Sequence, residues 1–141
     1  MNFEEYREKA FSTCTPACYS DEYLSLGFIS EVGELAGKFA KRIRGDSVSD
    51  EDIMQEIGDC AWMAAVWNRL MSKPLKEDIK LTFLPYNFEH GILGILDVEQ
   101  ELSFYAVKCF CEWLGYDFAE CLRMNIEKLE SRQKRGVIQG G

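Results

Sequence analysis

Histidine and basic residues are scarce in this chain of 141 residues, and each scarcity excludes a class of function. His90 is the only histidine and no Glu-x-x-His motif occurs, so a ferritin-like di-iron bundle is disfavoured. Lys and Arg number 16 against 24 Asp and Glu, which argues against a protein that grips a nucleic-acid backbone. No apolar run reaches the roughly 18–20 residues that cross a bilayer, and the charged start lacks a signal-peptide core. We therefore expect a cytoplasmic protein with neither a membrane nor a nucleic acid as its partner.

Cysteine is present six times but never as a CxxC pair. Without a signal peptide, reduced and mostly buried thiols are the expected state. A zinc site built from Cys14, Cys18, Cys109 and Cys111 is the less favoured alternative, because the spacings match no common zinc module.

Helical periodicity runs through most of the chain, whose length suits a single all-α domain over residues 1–141. The pattern predicts a bundle of about five helices: roughly 3–11, 22–43, 50–71, 92 or 97 to 114, and 117–135. Between the third and fourth helices, Pro74 and Pro85 predict a loop with a short helical turn, or an irregular lid, over residues 72–90.

Two of the predicted helices repeat the same pattern of acids and glycine. Each has two acids three positions apart with a glycine directly before the second: Glu31, Gly33 and Glu34, then Glu56, Gly58 and Asp59. On one helix face such acids repel by a few tenths of a kcal/mol, and a mid-helix glycine costs about 1 kcal/mol. The flanking residues are largely apolar, so isolated carboxylates there would be costly. A cation between the helices would offset both costs, and the glycines would let backbones or a ligand approach closely.

Carboxylates without nitrogen or sulfur ligands favour Mg²⁺, or Mn²⁺, which completes its coordination with water and substrate phosphate. Lys38 lies four positions after Glu34, on the acidic face. On the last helix Asn125, Lys128 and Arg132 share one face. The alternative interpretation of Lys128 and Arg132 is a solvated basic face near the C-terminal end of a helix. Together the acids, the amide and the cations suit a metal-bound polyphosphate.

Three segments, EVGELAGK, EIGDCAW and NIEKLESRQKRG, together resemble the MazG-like family of all-α nucleoside triphosphate pyrophosphohydrolases. The opening MNFEEYREKAFSTC and the ending KRGVIQGG resemble its short stand-alone bacterial and phage members. The hallmark is ExxE, a spacer, ExxD and a downstream Asn-x-x-Lys. The resemblance covers residues 1–70 and about 113–140, which leaves about 71–97 as an insertion. It implies a helical bundle that assembles as a homodimer or homotetramer. It also implies Mg²⁺-dependent hydrolysis of an NTP or dNTP to the monophosphate and pyrophosphate.

The resemblance also implies roles for individual residues. Four acids would hold the metal ions: Glu31, Glu34, Glu56 and Asp59. Asn125 and Lys128 would contact substrate phosphate or order the acidic site, with Lys38 and Arg132 as further phosphate-binding candidates. The catalytic candidates are Glu31, Glu34 and Lys128. Many family members have a further glutamate at the position of Ser30, so the base that activates water is left open between Glu31 and Glu34.

Two other interpretations are open. A non-catalytic, oligomeric helical module could use the acids for a structural cation or a basic partner, with the apolar segment 104–113 as its interface. Alternatively, the enzyme could act on a non-standard nucleotide such as phosphoribosyl-ATP or an alarmone. Phe28, Trp62 and Trp67 could each stack on a base, although aromatic residues on helices more often belong to the core.

Overall fold

A computed structural model describes residues 1–75 and 83–136, and these residues form an all-α bundle without strands. Six α-helices occur in this part of the chain: α1 (Phe3–Ser12), α2 (Asp21–Arg44), α3 (Asp50–Leu70), α4 (Phe88–Asp97), α5 (Ser103–Trp113) and α6 (Phe118–Lys134). Two short 3₁₀ helices lie at Pro16–Tyr19 and Gln100–Leu102. The predicted all-α fold class is therefore confirmed.

Local capping signals place most helix ends close to their predicted positions. The Asn2 side chain accepts a hydrogen bond from the Glu5 N–H at 2.8 Å, and Ser20 caps α2 in the same way. At the start of α3, Ser49 forms a reciprocal capping box with the acid three positions later. Gly45 ends α2 with φ of +105°, a conformation that glycine adopts without strain.

The single helix predicted from residue 92 or 97 to 114 is wrong, because the structure has two helices there. The first, α4, already begins at Phe88, where the Asn87 side chain accepts a hydrogen bond from the His90 N–H at 2.8 Å. Val98 and Glu99 then adopt extended backbone conformations, which separate α4 from α5. The predicted loop at 72–90 falls partly outside the described residues, since 76–82 are not among them.

The region predicted as an insertion contributes to the core where it is described. Helix α4 packs against α2 and α5, and it buries Ile92 and Ile95. Phe88, at its start, stacks on Phe39 of α2 with ring centroids 4.7 Å apart. This helix is therefore an integral layer of the bundle.

Helix α3 is the centre of the bundle, because it contacts α1, α2, α5 and α6. Small side chains such as Ala61, Ala64 and Ala65 are fully buried there and allow neighbouring helices to approach. Among the described helices, none combines the length and apolar character that a membrane span requires. The central position of α3 matters for the site because this helix carries two of the motif acids.

The cysteines are all free thiols. Cys111 lies beside Cys121, with the two sulfur atoms 3.8 Å apart. Within the described residues, the only group of three or more potential metal-ligating side chains is acidic and contains no cysteine. The four-cysteine zinc alternative therefore has no support in the structure.

Candidate metal and nucleotide site

Three of the four motif acids converge between α2 and α3. Glu31, Glu56 and Asp59 each offer a carboxylate oxygen, and these oxygens lie within 4.8 Å of one another. The fourth acid, Glu34, is exposed and lies outside this group, although its charge still acts on Glu31. The repeated sequence pattern thus brings three potential metal ligands together and leaves the fourth acid at the edge.

Burial and mutual repulsion shift the carboxyl groups of this cluster in the same direction. Burial, followed by the negative charge of Asp59, raises the pKa of Glu31 to about 8. The same two causes raise the pKa of Glu56. Burial also raises the pKa of Asp59, against the opposing effect of Lys128. Burial and the neighbouring charges therefore disfavour the ionised forms of these carboxyl groups, and a cation bound among them would favour the ionised forms again.

Two oxygens of the cluster have no hydrogen-bond partner. Oε2 of Glu31 and Oε2 of Glu56 are both buried and unpaired among the described residues. A buried carboxylate oxygen without a donor is costly, and such orphaned atoms indicate a missing ion or water. Because the ligand set consists of oxygen atoms alone, it fits Mg²⁺ or Mn²⁺ rather than zinc.

The predicted cations lie around this cluster. Lys128 of α6 forms an ion pair with Asp59, with 2.5 Å between Nζ and Oδ1. The charge of Arg132, one turn further along α6, opposes the burial-driven rise in the pKa of Asp59, and the charge of Lys38 opposes the rise in the pKa of Glu56. All three predicted cations therefore act on the acids.

Asn125 is buried behind the acids, with only 3% of its surface exposed. Its Nδ2 donates a hydrogen bond to Oδ1 of Asp59 at 3.4 Å, and its Oδ1 accepts one from the hydroxyl of Tyr6 at 2.8 Å. Tyr6 adjoins the site, but the sequence did not predict this, because a tyrosine on the apolar side of the first helix is expected to be a core residue. No local signal could have found it, because the partner lies 119 positions away.

The two motif glycines have different structural roles. A Cβ atom at Gly58 would lie 3.0 Å from both the Asn125 Cβ and the Cys121 carbonyl oxygen. This glycine therefore allows α6 to approach α3 closely enough for Asn125 to reach Asp59. At Gly33 the same atom would meet nothing within 4 Å. The predicted close approach of two helices is confirmed at Gly58. At Gly33 no described residue comes close, and the approach of a ligand there stays a prediction.

A cleft of about 390 Å³ opens beside Glu31 and Asp59. Trp62 forms part of its wall, and its indole N–H donates to the Thr13 hydroxyl at 3.0 Å, which holds the ring in place. Tyr23 and Arg132 also line this cleft. An aromatic wall, a cation and the carboxylate cluster thus face the same space.

Of the three aromatic residues considered for base stacking, only Trp62 lines this cleft. Phe28 is buried and packs against Trp67, with ring centroids 6.1 Å apart. The Trp67 indole N–H donates to the Asp21 carboxylate at 2.6 Å. Phe28 and Trp67 therefore belong to the packing of α2 on α3.

Comparison of the chain with protein-family models, with curated proteins and with solved structures gives no match. The resemblance to the MazG-like family therefore rests on the motifs in the sequence.

The arrangement is suited to binding an anionic ligand through a divalent cation. The acids of α2 and α3 can hold the cation at one end of the cleft, beside Lys128 and Arg132. A ligand with phosphate groups would reach the cation and the basic side chains, while a planar group could lie against Trp62.

Proposed function

We propose that the protein is a Mg²⁺-dependent nucleoside triphosphate pyrophosphohydrolase, which converts an NTP or dNTP to the monophosphate and pyrophosphate. The observation that carries this proposal is the convergence of Glu31, Glu56 and Asp59, two of them with unpaired buried oxygens, beside an aromatic cleft. The reaction class comes from the motif resemblance, and a role in nucleotide-pool housekeeping follows from it. Mn²⁺ is the alternative metal because it shares the preference for oxygen ligands.

The acids and cations of the site have complementary roles in this reaction. Glu31, Glu56 and Asp59 would hold the metal, and Glu34, whose charge acts on Glu31, is the further candidate at the edge of the cluster. When bound, Mg²⁺ would offset the triphosphate charge and make a water molecule more acidic. The acids of the chain would supply the base: Glu31 or Glu34 would accept the proton of the water that attacks the α-phosphorus, and pyrophosphate would leave.

The cations complete the phosphate site. Lys128, Lys38 and Arg132 offset charge on the phosphate oxygens, so that catalysis consists largely of positioning and electrostatics. The nucleoside lies in the cleft with its base against Trp62, since stacking on an aromatic ring is favourable for every base.

We also propose that the chain forms a homodimer or homotetramer in the cytoplasm. Helix α2 supports this assembly because Leu26 and Ile29, three positions apart on it, are 59% and 52% exposed, and neighbouring exposed apolar side chains suit an interface between subunits. Multi-angle light scattering would measure the mass directly, and a monomer at micromolar concentration would contradict the proposal. The net charge of −8 supports a role that does not involve nucleic acid.

The decisive experiment is pyrophosphate release from a panel of NTPs and dNTPs with Mg²⁺, with Mn²⁺ and with EDTA. Glu56→Gln should lower turnover at least about 100-fold while the helical circular dichroism is retained, because the metal loses one ligand. Glu51→Gln is the matched control, since Glu51 is exposed on the same helix. Near-normal turnover by Glu56→Gln would refute the site.

Failure across the panel would separate the alternatives. A folded wild-type protein that binds Mg²⁺ but releases no pyrophosphate would favour the non-catalytic module. Extending the panel to phosphoribosyl-ATP and alarmones tests the remaining alternative, in which the phosphates are shared but the base differs.

A further inference from the structure

Tyr6 contributes the only hydroxyl among the described side chains that bonds to Asn125. It is fully buried on α1, and its hydroxyl donates to the Asn125 Oδ1 at 2.8 Å. Asn125 in turn donates from Nδ2 to the Oδ1 of Asp59. A chain of hydrogen bonds therefore runs from the first helix, through the last, to an acid of the metal cluster.

The chemistry of the two neighbours fixes the orientation of the Asn125 amide. An ionised Asp59 can only accept hydrogen bonds, so the NH₂ group must face it. The amide oxygen then faces Tyr6, whose hydroxyl can donate. If the amide were flipped, the NH₂ would leave the carboxylate and an oxygen would face an oxygen. Asp59 thus selects this amide orientation, and the Tyr6 hydroxyl, by donating to the amide oxygen, holds the Asn125 side chain in it.

Two donors meet at one oxygen of Asp59. Lys128 Nζ and Asn125 Nδ2 both reach Oδ1. Two donors on one oxygen restrict rotation of the carboxylate group, and this rotation decides how its other oxygen is presented to a cation. Partners behind a ligating carboxylate are known to influence metal affinity in this way.

We propose that Tyr6 is a positioning residue of the metal site, which acts through Asn125 to set the orientation of Asp59. Tyr6 touches neither the metal nor the substrate. The inference rests on the metal site of the proposed function but not on the identity of the substrate, so a metal-binding measurement tests it independently of hydrolysis.

The test is the affinity for Mn²⁺ alone, measured by electron paramagnetic resonance and calorimetry on wild type and Tyr6→Phe. The substitution keeps the ring and removes only the hydroxyl. We expect about tenfold weaker Mn²⁺ binding, the lower end of the effect of removing a partner behind a metal ligand. In the hydrolysis assay kcat should fall while KM for the nucleotide changes little.

A control separates this role from a general loss of stability. Ser103→Ala also removes a buried hydroxyl hydrogen bond, since Ser103 is 2% exposed and donates to the Gln100 carbonyl at 2.7 Å. It should lower the melting temperature and leave the Mn²⁺ affinity unchanged. If Tyr6→Phe lowers only the melting temperature and binds Mn²⁺ within twofold of wild type, Tyr6 is structural and the proposal is overturned.

A double-mutant cycle tests the route through Asn125. In an Asn125→Ala background, removal of the Tyr6 hydroxyl should not weaken Mn²⁺ binding further. Equal, additive losses in the two backgrounds would overturn the route. If Asn125→Ala does not fold, Asn125→Ser takes its place, because its side chain is too short to bridge Tyr6 and Asp59.

The same measurements separate a failure of the positioning role of Tyr6 from a failure of the proposed hydrolysis. Mn²⁺ binding that depends on Tyr6, together with no pyrophosphate release, supports the positioning role and refutes the proposed hydrolysis. Absence of Mn²⁺ binding by the folded wild-type protein overturns both.

Discussion

Gly58→Ala tests the packing that builds the site. The added Cβ would lie 3.0 Å from the Asn125 Cβ and from the Cys121 carbonyl oxygen. The first of these atoms is bonded directly to the backbone of α6 and the second is a backbone atom of α6, so neither can rotate out of the way. The helices must therefore separate by a few tenths of an ångström, which lengthens the hydrogen bond from Asn125 to Asp59.

The magnitude follows from two opposing contributions. Replacing a mid-helix glycine by alanine favours the helix by about 1 kcal/mol. Overpacking of a close contact typically costs about 1–3 kcal/mol. For Gly58→Ala the sum is a loss of about 0–2 kcal/mol in the free energy of unfolding. For Gly33→Ala, where the Cβ meets nothing, only the gain of about 1 kcal/mol applies.

Urea unfolding of both variants in EDTA measures this difference, with light scattering to confirm that their oligomeric states match. We expect Gly33→Ala to be more stable than Gly58→Ala by about 1–3 kcal/mol, or about 4 °C in melting temperature per kcal/mol. Mn²⁺ affinity should fall only in Gly58→Ala. Stabilisation of Gly58→Ala equal to that of Gly33→Ala, with unchanged Mn²⁺ affinity, would refute the close-packing argument.

Three further predictions concern charge and the cleft. Because the folded pKa of Glu31 is raised to about 8, the folded state binds an extra proton between about pH 4.3 and 8, so metal-free stability should fall as the pH rises through this window. Melting curves in EDTA check this, and an equal slope in Glu31→Gln would contradict it. Lys128→Met should lower the free energy of unfolding of the metal-free protein by about 1–2 kcal/mol, because it removes the partner of Asp59, and saturating Mg²⁺ should reduce this loss. Chemical denaturation measures the loss, with Lys134→Met as the control because Lys134 is exposed. Trp62→Ala should raise KM for the nucleotide about tenfold without changing Mn²⁺ affinity, and an unchanged KM would place the base elsewhere.

Helix ends are predictable from the sequence where a residue at the helix end itself determines them, through its side chain or its backbone conformation. Asn2, Ser49 and Gly45 each act within three or four positions of themselves, and the predicted boundaries there match the structure closely. A helix start at residue 92 overlooks the break at Val98 and Glu99, because neither residue is a helix breaker and apolar periodicity continues on both sides. There the packing of α4 and α5 overrides local preference.

The acidic site is only partly predictable for a similar reason. Spacing alone indicates that Glu31 and Glu34 share a face, but it cannot say that Glu34 points to solvent while Glu31 meets acids of another helix. The roles of Gly58 and Tyr6 depend on where α6 and α1 pack against α3. Such tertiary relations leave no trace in spacing along the chain.

The joining of α1, α2, α3 and α6 at one site links metal binding to the integrity of the whole bundle. Detachment of α1 removes the Tyr6 hydroxyl, and detachment of α6 removes both Lys128 and Asn125. By mass action, a cation at 100 times its dissociation constant would stabilise the state in which both helices are packed in place by about 2.7 kcal/mol. Amide hydrogen exchange in these two helices should therefore slow when the metal is added, and magnesium supply would then act on the lifetime of the fold as well as on turnover.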